Sequence, residues 1–257
     1  IFVFRFTMVV IKNILGRILA FWGAIIFIVT LLIAVVPIWL TNYIKEPHGT
    51  KIFRRISKAW MEFFLLTIGC RIVVKGKKYF IPKQNYIVVS NHSSYMDIPI
   101  TTPQIPGPNK TIAKAELAKI PLFGLIYSRG SVLVDRKSDR SRKESYGKMK
   151  AVLEQGLHMC IYPEGTRNKT NDPLKSFHDG AFKLAADTGK SIIPALLFNT
   201  GKVMPGSSKP FYLWPATIRM DFLEPVAVNP GDTAAGLKEK VFKIMYDYYK
   251  TNAANYS

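Results

Sequence analysis

The sequence predicts an α/β fold, a mixed and twisted sheet flanked by helices, preceded by an N-terminal two-helix membrane anchor, one helix hydrophobic and the next amphipathic. Three observations predict it. An uncharged apolar run near the start, Ile18 to Leu40, is followed by an amphipathic stretch. From Gly69 onward, short β-branched runs alternate with helix-like segments, the pattern of an α/β domain. A chain of 257 residues can bury one sizeable core and carry an appendage. The expected division is 1–68 for the anchoring helices and 69–257 for the α/β domain.

Within the run Ile18 to Leu40, Thr30 is the only hydrogen-bonding side chain apart from Trp22 and Trp39, which sit near its ends. At about 1.5 Å per residue the run just reaches across a ~30 Å hydrocarbon layer, and it is too long for the apolar part of a signal peptide. Pro37 leaves open whether it spans or turns back. Basic residues flank it on both sides, Arg5, Lys12 and Arg17 before, Lys45, Lys51, Arg54 and Arg55 after, so charge does not orient a single span. A hairpin with both ends on one side removes that conflict. Lys51 to Ile68 reads as an amphipathic interfacial helix, with Lys51, Arg55, Lys58 and Glu62 at helical spacing and Ile52, Ile56, Trp60, Phe63 and Phe64 on other faces. An ordinary surface helix over the core is the alternative.

Strands are expected at Arg71–Lys75, Tyr86–Ser90, Val132–Asp135, Leu157–Tyr162, Ile192–Phe198 and Thr217–Phe222. Helices are expected from about Ala115 to Tyr127, Arg142 to Gln155, Ala181 to Asp187 and Thr233 to Tyr249. The second of these carries a capping box, Ser141 with Glu144, and is closed by Gly156.

The chain holds 36 Lys and Arg against 17 Asp and Glu, a formal net charge of +19, which calls for an anionic partner. With an apolar anchor present, that partner is a phospholipid bilayer and not nucleic acid. Cys70 and Cys160 offer no disulfide framework, and neither has the neighbours of a metal site.

Two loops carry candidate chemistry. Asn91-His92-Ser93-Ser94-Tyr95-Met96-Asp97 follows the apolar run Ile87-Val88-Val89, at the carboxyl end of a strand, where open α/β sheets place their sites. A neutral imidazole can take a hydroxyl proton on one nitrogen while a carboxylate holds the other nitrogen's N–H. His92 and Asp97 form such a pair if the loop between them turns; otherwise Asp97 caps a helix beginning near Pro99. Tyr162-Pro163-Glu164-Gly165-Thr166-Arg167-Asn168 follows a second apolar run. Gly165 lets backbone N–H groups approach an anion, Thr166 offers a hydroxyl, and Arg167 can grip phosphate with two parallel donors. Glu164 would orient Arg167 or a substrate hydroxyl. The same residues also make a good turn. Lys114 and the segment Gly130 to Arg136 add cations near strand ends.

In order, Asn-His-x-x-x-x-Asp at 91–97, Lys-x-Glu-Leu and Ile-Pro-x-x-Gly at 114–124, Gly-x-x-x-x-x-Arg at 130–136, Pro-Glu-Gly-Thr-Arg at 163–167 and Ile-Pro at 193–194 resemble the successive blocks of the glycerolipid acyltransferase family. The resemblance runs from about Tyr86 to Phe198; Asn168, where the family often has Ser, and His178, where it often has Lys, depart from it. It implies that His92 deprotonates a lipid hydroxyl, that Asp97 orients and charges the imidazole, and that the hydroxyl attacks an acyl thioester. The substrate is then the nucleophile, and no acyl-enzyme is needed. It further implies that Lys114, Arg136, Glu164, Gly165, Thr166 and Arg167 hold the substrate phosphate and that Ile193 and Pro194 shape the acyl-donor side. The implied reaction moves a fatty acyl group from acyl-CoA or acyl carrier protein, as co-substrate, to the sn-2 hydroxyl of lysophosphatidic acid (1-acylglycerol 3-phosphate). No metal or bound cofactor is expected. The implied location is the cell (inner) membrane, with the catalytic domain on the cytoplasmic face. Glycerol 3-phosphate or a lyso-ornithine lipid as acceptor, and a non-catalytic anionic-lipid adaptor, are the competing readings.

Overall fold

The computed structural model describes residues 2–135, 137–170, 172–206 and 211–254, with backbone alone for 2–6. It opens with helix α1, Phe2–Leu40, which runs through Pro37, makes a 3₁₀ turn at Thr41–Tyr43, and returns as α2, His48–Thr67. Helix α1 is long and apolar enough to cross a membrane, by length and composition. The two helices pack as a hairpin. Trp60 Nε1 donates to Thr30 Oγ1 at 2.8 Å, and Thr30 donates onward to the Ile26 carbonyl at 2.7 Å, so the one hydroxyl of the apolar run is satisfied inside the pair. Phe27 stacks on Trp60 with centroids 5.3 Å apart and meets Phe64 edge-on at 5.6 Å. On the outer side Phe21, Ile25, Ile28, Val29, Leu32, Ile33 and Val36 remain exposed, an apolar stripe of the kind a lipid phase covers.

The sheet has seven strands in the order β1-β7-β6-β2-β5-β3-β4. These are β1 (Arg71–Lys75), β2 (Ile87–Ser90), β3 (Asn109–Lys114), β4 (Ser131–Val134), β5 (His158–Ile161), β6 (Ile192–Phe198) and β7 (Thr217–Phe222). Pairing is parallel except between β6 and β7, which makes the sheet mixed. Strand β2, buried along its whole length, lies between β5 and β6 and sends its carboxyl end into the first candidate loop. One face of the sheet packs on α5 (Asp139–Glu154), α6 (Gly180–Thr188) and α8 (Ala234–Ala253) through Ile87, Val89, Met149, Phe182, Leu184, Val241 and Met245. The other packs on α1, α2 and α3 (Asp97–Gln104) through Val88, Ile193, Ala195, Ala20, Met61, Phe64 and Ile100. The hairpin is therefore one layer of the fold, and each large apolar side chain it buries there contributes about 1.5–3 kcal/mol.

The structure corrects three expectations. Strand β3 was not expected, because its buried side carries Asn109, Thr111 and Ala113 in place of large apolar residues; Thr111 Oγ1 donates to the Cys160 carbonyl at 3.1 Å and Asn109 Nδ2 to the Thr102 carbonyl at 2.9 Å. The helix expected over Ala115 to Tyr127 is broken into a 3₁₀ turn, Ala115–Lys119, and α4, Phe123–Arg129. Pro121 forces Ile120 into extended backbone, and Leu122 then takes φ +60°. Helix α5 starts at Asp139, and its cap is Ser138, which accepts from Ser141 N–H at 3.2 Å. Ser141 Oγ accepts from Asp135 N–H instead, and Glu144 pairs with Arg140, so no capping box forms at Ser141. Gly156, at φ +79°, does close that helix.

Candidate active site

Strand β2 ends at Ser90, and Asn91 holds the chain that leaves it. Its side-chain amide accepts from Leu197 N–H at 2.7 Å and donates to the Leu197 carbonyl at 3.0 Å, extending the β2–β6 contact past the end of the strand. The loop then turns back on Asp97, the first residue of α3. Asp97 is fully buried, and its Oδ2 accepts from Ser93 N–H at 2.6 Å, Ser94 N–H at 2.7 Å and His92 Nδ1 at 2.7 Å. Three donors converge on one oxygen at the start of helix α3. The carboxylate fixes the imidazole with its proton on Nδ1, which leaves Nε2 as a proton acceptor on a side chain 16% exposed. Of the two expectations for Asp97, the imidazole contact forms, whereas the cap on a helix beginning near Pro99 does not: the helix starts at Asp97 itself, and its carboxylate accepts from Ser93 and Ser94 ahead of it, not from the helix N–H groups.

The second loop is bound to the first. Glu164 is buried; its Oε1 accepts from His92 N–H at 2.7 Å and its Oε2 from Lys175 N–H at 3.0 Å. Burial raises its carboxyl above the usual range against the lowering effect of those two N–H groups. With both oxygens turned inward, Glu164 is a tie between loops and does not orient Arg167. Asn168 N–H donates to the His92 carbonyl at 2.6 Å, completing the clasp on either side of the imidazole. Gly165 has φ +69°, and a Cβ there would come 2.8 Å from the His178 ring, so backbone and space both require glycine. Tyr162 lies against His92, ring centroids 4.7 Å apart, its phenol held well above the ordinary range first by burial and then by the neighbouring Cys160 and Asp97.

Arg167 turns outward, its guanidinium 3.6 Å from the centre of the Tyr95 ring. Beside it lies an apolar cavity of about 760 Å³ between the hairpin and the domain, lined by Gly23, Phe27, Met61, Phe64, Phe123 and Tyr212 among others, with Tyr95, Arg167 and Lys169 as its polar members. Thr166 Oγ1 accepts from Lys175 Nζ at 2.7 Å, which adds a cation to this edge. The remaining expected residues stand apart. Lys114 ends β3, two strands from β2, exposed and paired with Glu116 at 3.2 Å. Arg136 lies outside the described residues. Ile193 and Pro194 are buried inside β6, so they support the sheet behind the cavity without lining it.

Sequence reasoning missed Asn91 as the strap of the loop, Tyr95 and Tyr162 as aromatic neighbours of Arg167 and His92, and the whole cavity. The two tyrosines sit inside the motifs, where their position was available as a signal. The cavity gathers residues from six separate stretches of chain, which no local pattern reveals.

A buried carboxylate–imidazole pair on an α/β sheet is thus clasped to a loop carrying an arginine and set beside an apolar cavity. Residues 71–197 match the family model described as Acyltransferase, and the chain belongs to that family. It is 34% identical over 146 residues to the 1-acyl-sn-glycerol-3-phosphate acyltransferase of Borreliella burgdorferi, covering 56% of this chain and 58% of that one. It is 32% identical over 167 residues to a chloroplastic 1-acyl-sn-glycerol-3-phosphate acyltransferase of Arabidopsis thaliana, covering 64% of this chain and 46% of that one. The chain thus spans about half the length of these curated relatives. Its fold matches the crystal structure of the 1-acyl-sn-glycerophosphate acyltransferase PlsC from Thermotoga maritima, with a TM-score of 0.76 at 22% identity over 96% of this chain and 98% of that one.

Proposed function

We propose that the chain transfers a fatty acyl group from acyl-CoA or acyl carrier protein to the sn-2 hydroxyl of lysophosphatidic acid, forming phosphatidic acid at the cytoplasmic face of the cell membrane. The observation that carries this reading is the His92–Asp97 pair at 2.7 Å, clasped to the Arg167 loop beside an apolar cavity. His92 Nε2 takes the hydroxyl proton as the lipid oxygen attacks the thioester carbonyl, and Asp97 stabilises the imidazolium that forms. Collapse of the tetrahedral intermediate expels the thiolate, which recovers the proton from the imidazolium and leaves as the free thiol. Arg167 grips the phosphate, and the cavity takes the acyl chain the acceptor already carries. Residues 1–68 anchor this arrangement where lipid acceptor and water-borne donor meet, and the basic surface adds about 1 kcal/mol per Lys or Arg near anionic headgroups.

The test offers a radiolabelled acyl thioester, as acyl-CoA and as acyl carrier protein, to lysophosphatidic acid, glycerol 3-phosphate and a lyso-ornithine lipid in detergent micelles. Labelled phosphatidic acid from the first acceptor is the expected result. Product from glycerol 3-phosphate alone would keep the chemistry and replace the acceptor, while label on the lyso-ornithine lipid would remove Arg167 from the phosphate role.

A further inference from the structure

Away from the site, Arg129 is a charged side chain buried for no purpose that the chemistry above explains. Arg129, the last residue of α4, is 5% exposed. Its Nη1 donates to Glu46 Oε1 at 2.7 Å and to Thr50 Oγ1 at 3.1 Å, its Nε to Thr41 Oγ1 at 3.0 Å, and its Nη2 to the Thr41 carbonyl at 3.3 Å. Glu46 is held in turn by Thr50, whose N–H donates to Oε2 at 3.0 Å and whose hydroxyl donates to Oε1 at 2.8 Å, with Lys110 Nζ 3.6 Å away on β3. A Cβ on Gly49 would come 2.5 Å from Arg129 Nη2, so that glycine makes the seat. All of the partners except Lys110 lie in the corner between α1 and α2. The guanidinium therefore joins the bend of the hairpin to the catalytic domain in one fixed geometry.

A second joint ties α1 to the domain beside the cavity, which Tyr212 and Leu213 line. There Leu213 N–H donates to the Gly16 carbonyl at 3.0 Å, and a Cβ on Gly16 would come 2.1 Å from the Tyr212 ring. Between the two joints along α1, Ala20, Gly23, Ala24 and Phe27 line the cavity, as does Phe123, the first residue of the helix that ends in Arg129. A buried ion pair adds little net stability over an apolar pair of the same volume, and its best-attested use is to fix geometry.

We propose that Arg129 is a specificity-positioning residue: by clamping the bend of the hairpin to α4, it sets the width of the cavity and so the length of acyl chain that the cavity accepts. The proposal rests on the lipid-acceptor reading for the use of the cavity, but its test does not require turnover.

The experiment measures binding of lysophosphatidic acids with medium and long chains to the full chain in detergent, by intrinsic tryptophan fluorescence, alongside acyl transfer to each. The triple variant R129M/E46Q/K110M removes Arg129, Glu46 and the partly buried Lys110 that pairs with Glu46 together, so no charge of the cluster is stranded. It is expected to change the ratio of the two affinities by roughly fourfold or more, the effect of one methylene gained or lost from burial. The pH profile of transfer should stay where it is, because His92 and Asp97 are untouched. An unchanged ratio, with both affinities intact or both falling together, overturns the proposal, as does a native chain that binds the two lipids equally. If the triple variant does not fold, T41V/T50V removes the two hydroxyl acceptors with the ion pair kept, and the same ratio decides. Length-dependent binding without turnover would count against the acyltransferase reading and leave the clamp standing.

Discussion

At the scale of the residue, the chemistry rests on which proton sits where. Asp97 Oδ2, fed by two backbone N–H groups as well as the imidazole, is held in place even if one donor is lost, so its replacement alters electronics more than position. Asp97→Asn is expected to keep the fold and lower kcat by roughly 10³- to 10⁴-fold, since an amide cannot fix the Nδ1–H tautomer or stabilise an imidazolium. A steady-state assay with circular dichroism on the same sample reads both. If Arg167 holds the phosphate, shape matters as well as charge: Arg167→Lys keeps the cation but loses the two-donor fork and the planar contact with Tyr95, and is expected to raise KM for the acceptor roughly tenfold with kcat little changed. Equal KM values for the two enzymes would remove Arg167 from the phosphate grip. The motif residues His92, Asp97, Gly165 and Arg167 were legible in the sequence because each has a side-chain or backbone property that suits one task. Glu164 was misread because nothing local announces that both its oxygens face backbone N–H groups.

At the scale of the element, strand ends and helix starts do the positioning, and some of their ties are sensitive to acid. His158 opens β5; its Nδ1 accepts from Tyr86 N–H at 3.0 Å, joining the start of β5 to the start of β2. Burial pushes its imidazole from the ordinary 6.5 down to about 4, against the raising effect of the Pro106 carbonyl. The folded state therefore holds this ring neutral while the unfolded state binds a proton first, so the stability it contributes is present above the unfolded value and lost as pH falls toward the folded one. Between pH 7 and pH 5 the loss is about 2 kcal/mol, measurable as a lower denaturant midpoint in detergent. His158→Asn, which keeps an acceptor where Nδ1 sits, should flatten that dependence; a slope equal to that of the native chain would assign it elsewhere. Strands of β-branched residues such as Ile87-Val88-Val89 were legible because burial on both faces demands them. Strand β3 was not, since Asn109 and Thr111 are buried by virtue of long-range hydrogen bonds that no window of sequence contains.

At the scale of the whole molecule, the hairpin of α1 and α2 serves two environments: its inner face completes the core and the cavity, and its outer stripe stays apolar and exposed. The length and apolarity of α1 were legible, but its partnership with the sheet was not, because a run such as Ile18 to Leu40 looks the same whether lipid or protein covers it. If the outer stripe faces lipid, paired substitutions there, such as Ile28→Lys with Ile33→Lys, should release the chain from anionic vesicles in a flotation assay while transfer to acceptor in detergent is largely retained. Retention of the doubly substituted chain on the vesicles would move the membrane contact to another surface. In the proposed reaction His92 activates a lipid hydroxyl at a site that binds its lipid independently of that step. The most direct test compares the native chain with His92→Ala for both lysophosphatidic acid binding and acyl transfer in the same micelles. Unchanged binding is expected, with transfer reduced by at least about 10³-fold; transfer that survives the substitution, or binding lost together with it, would overturn this role for His92.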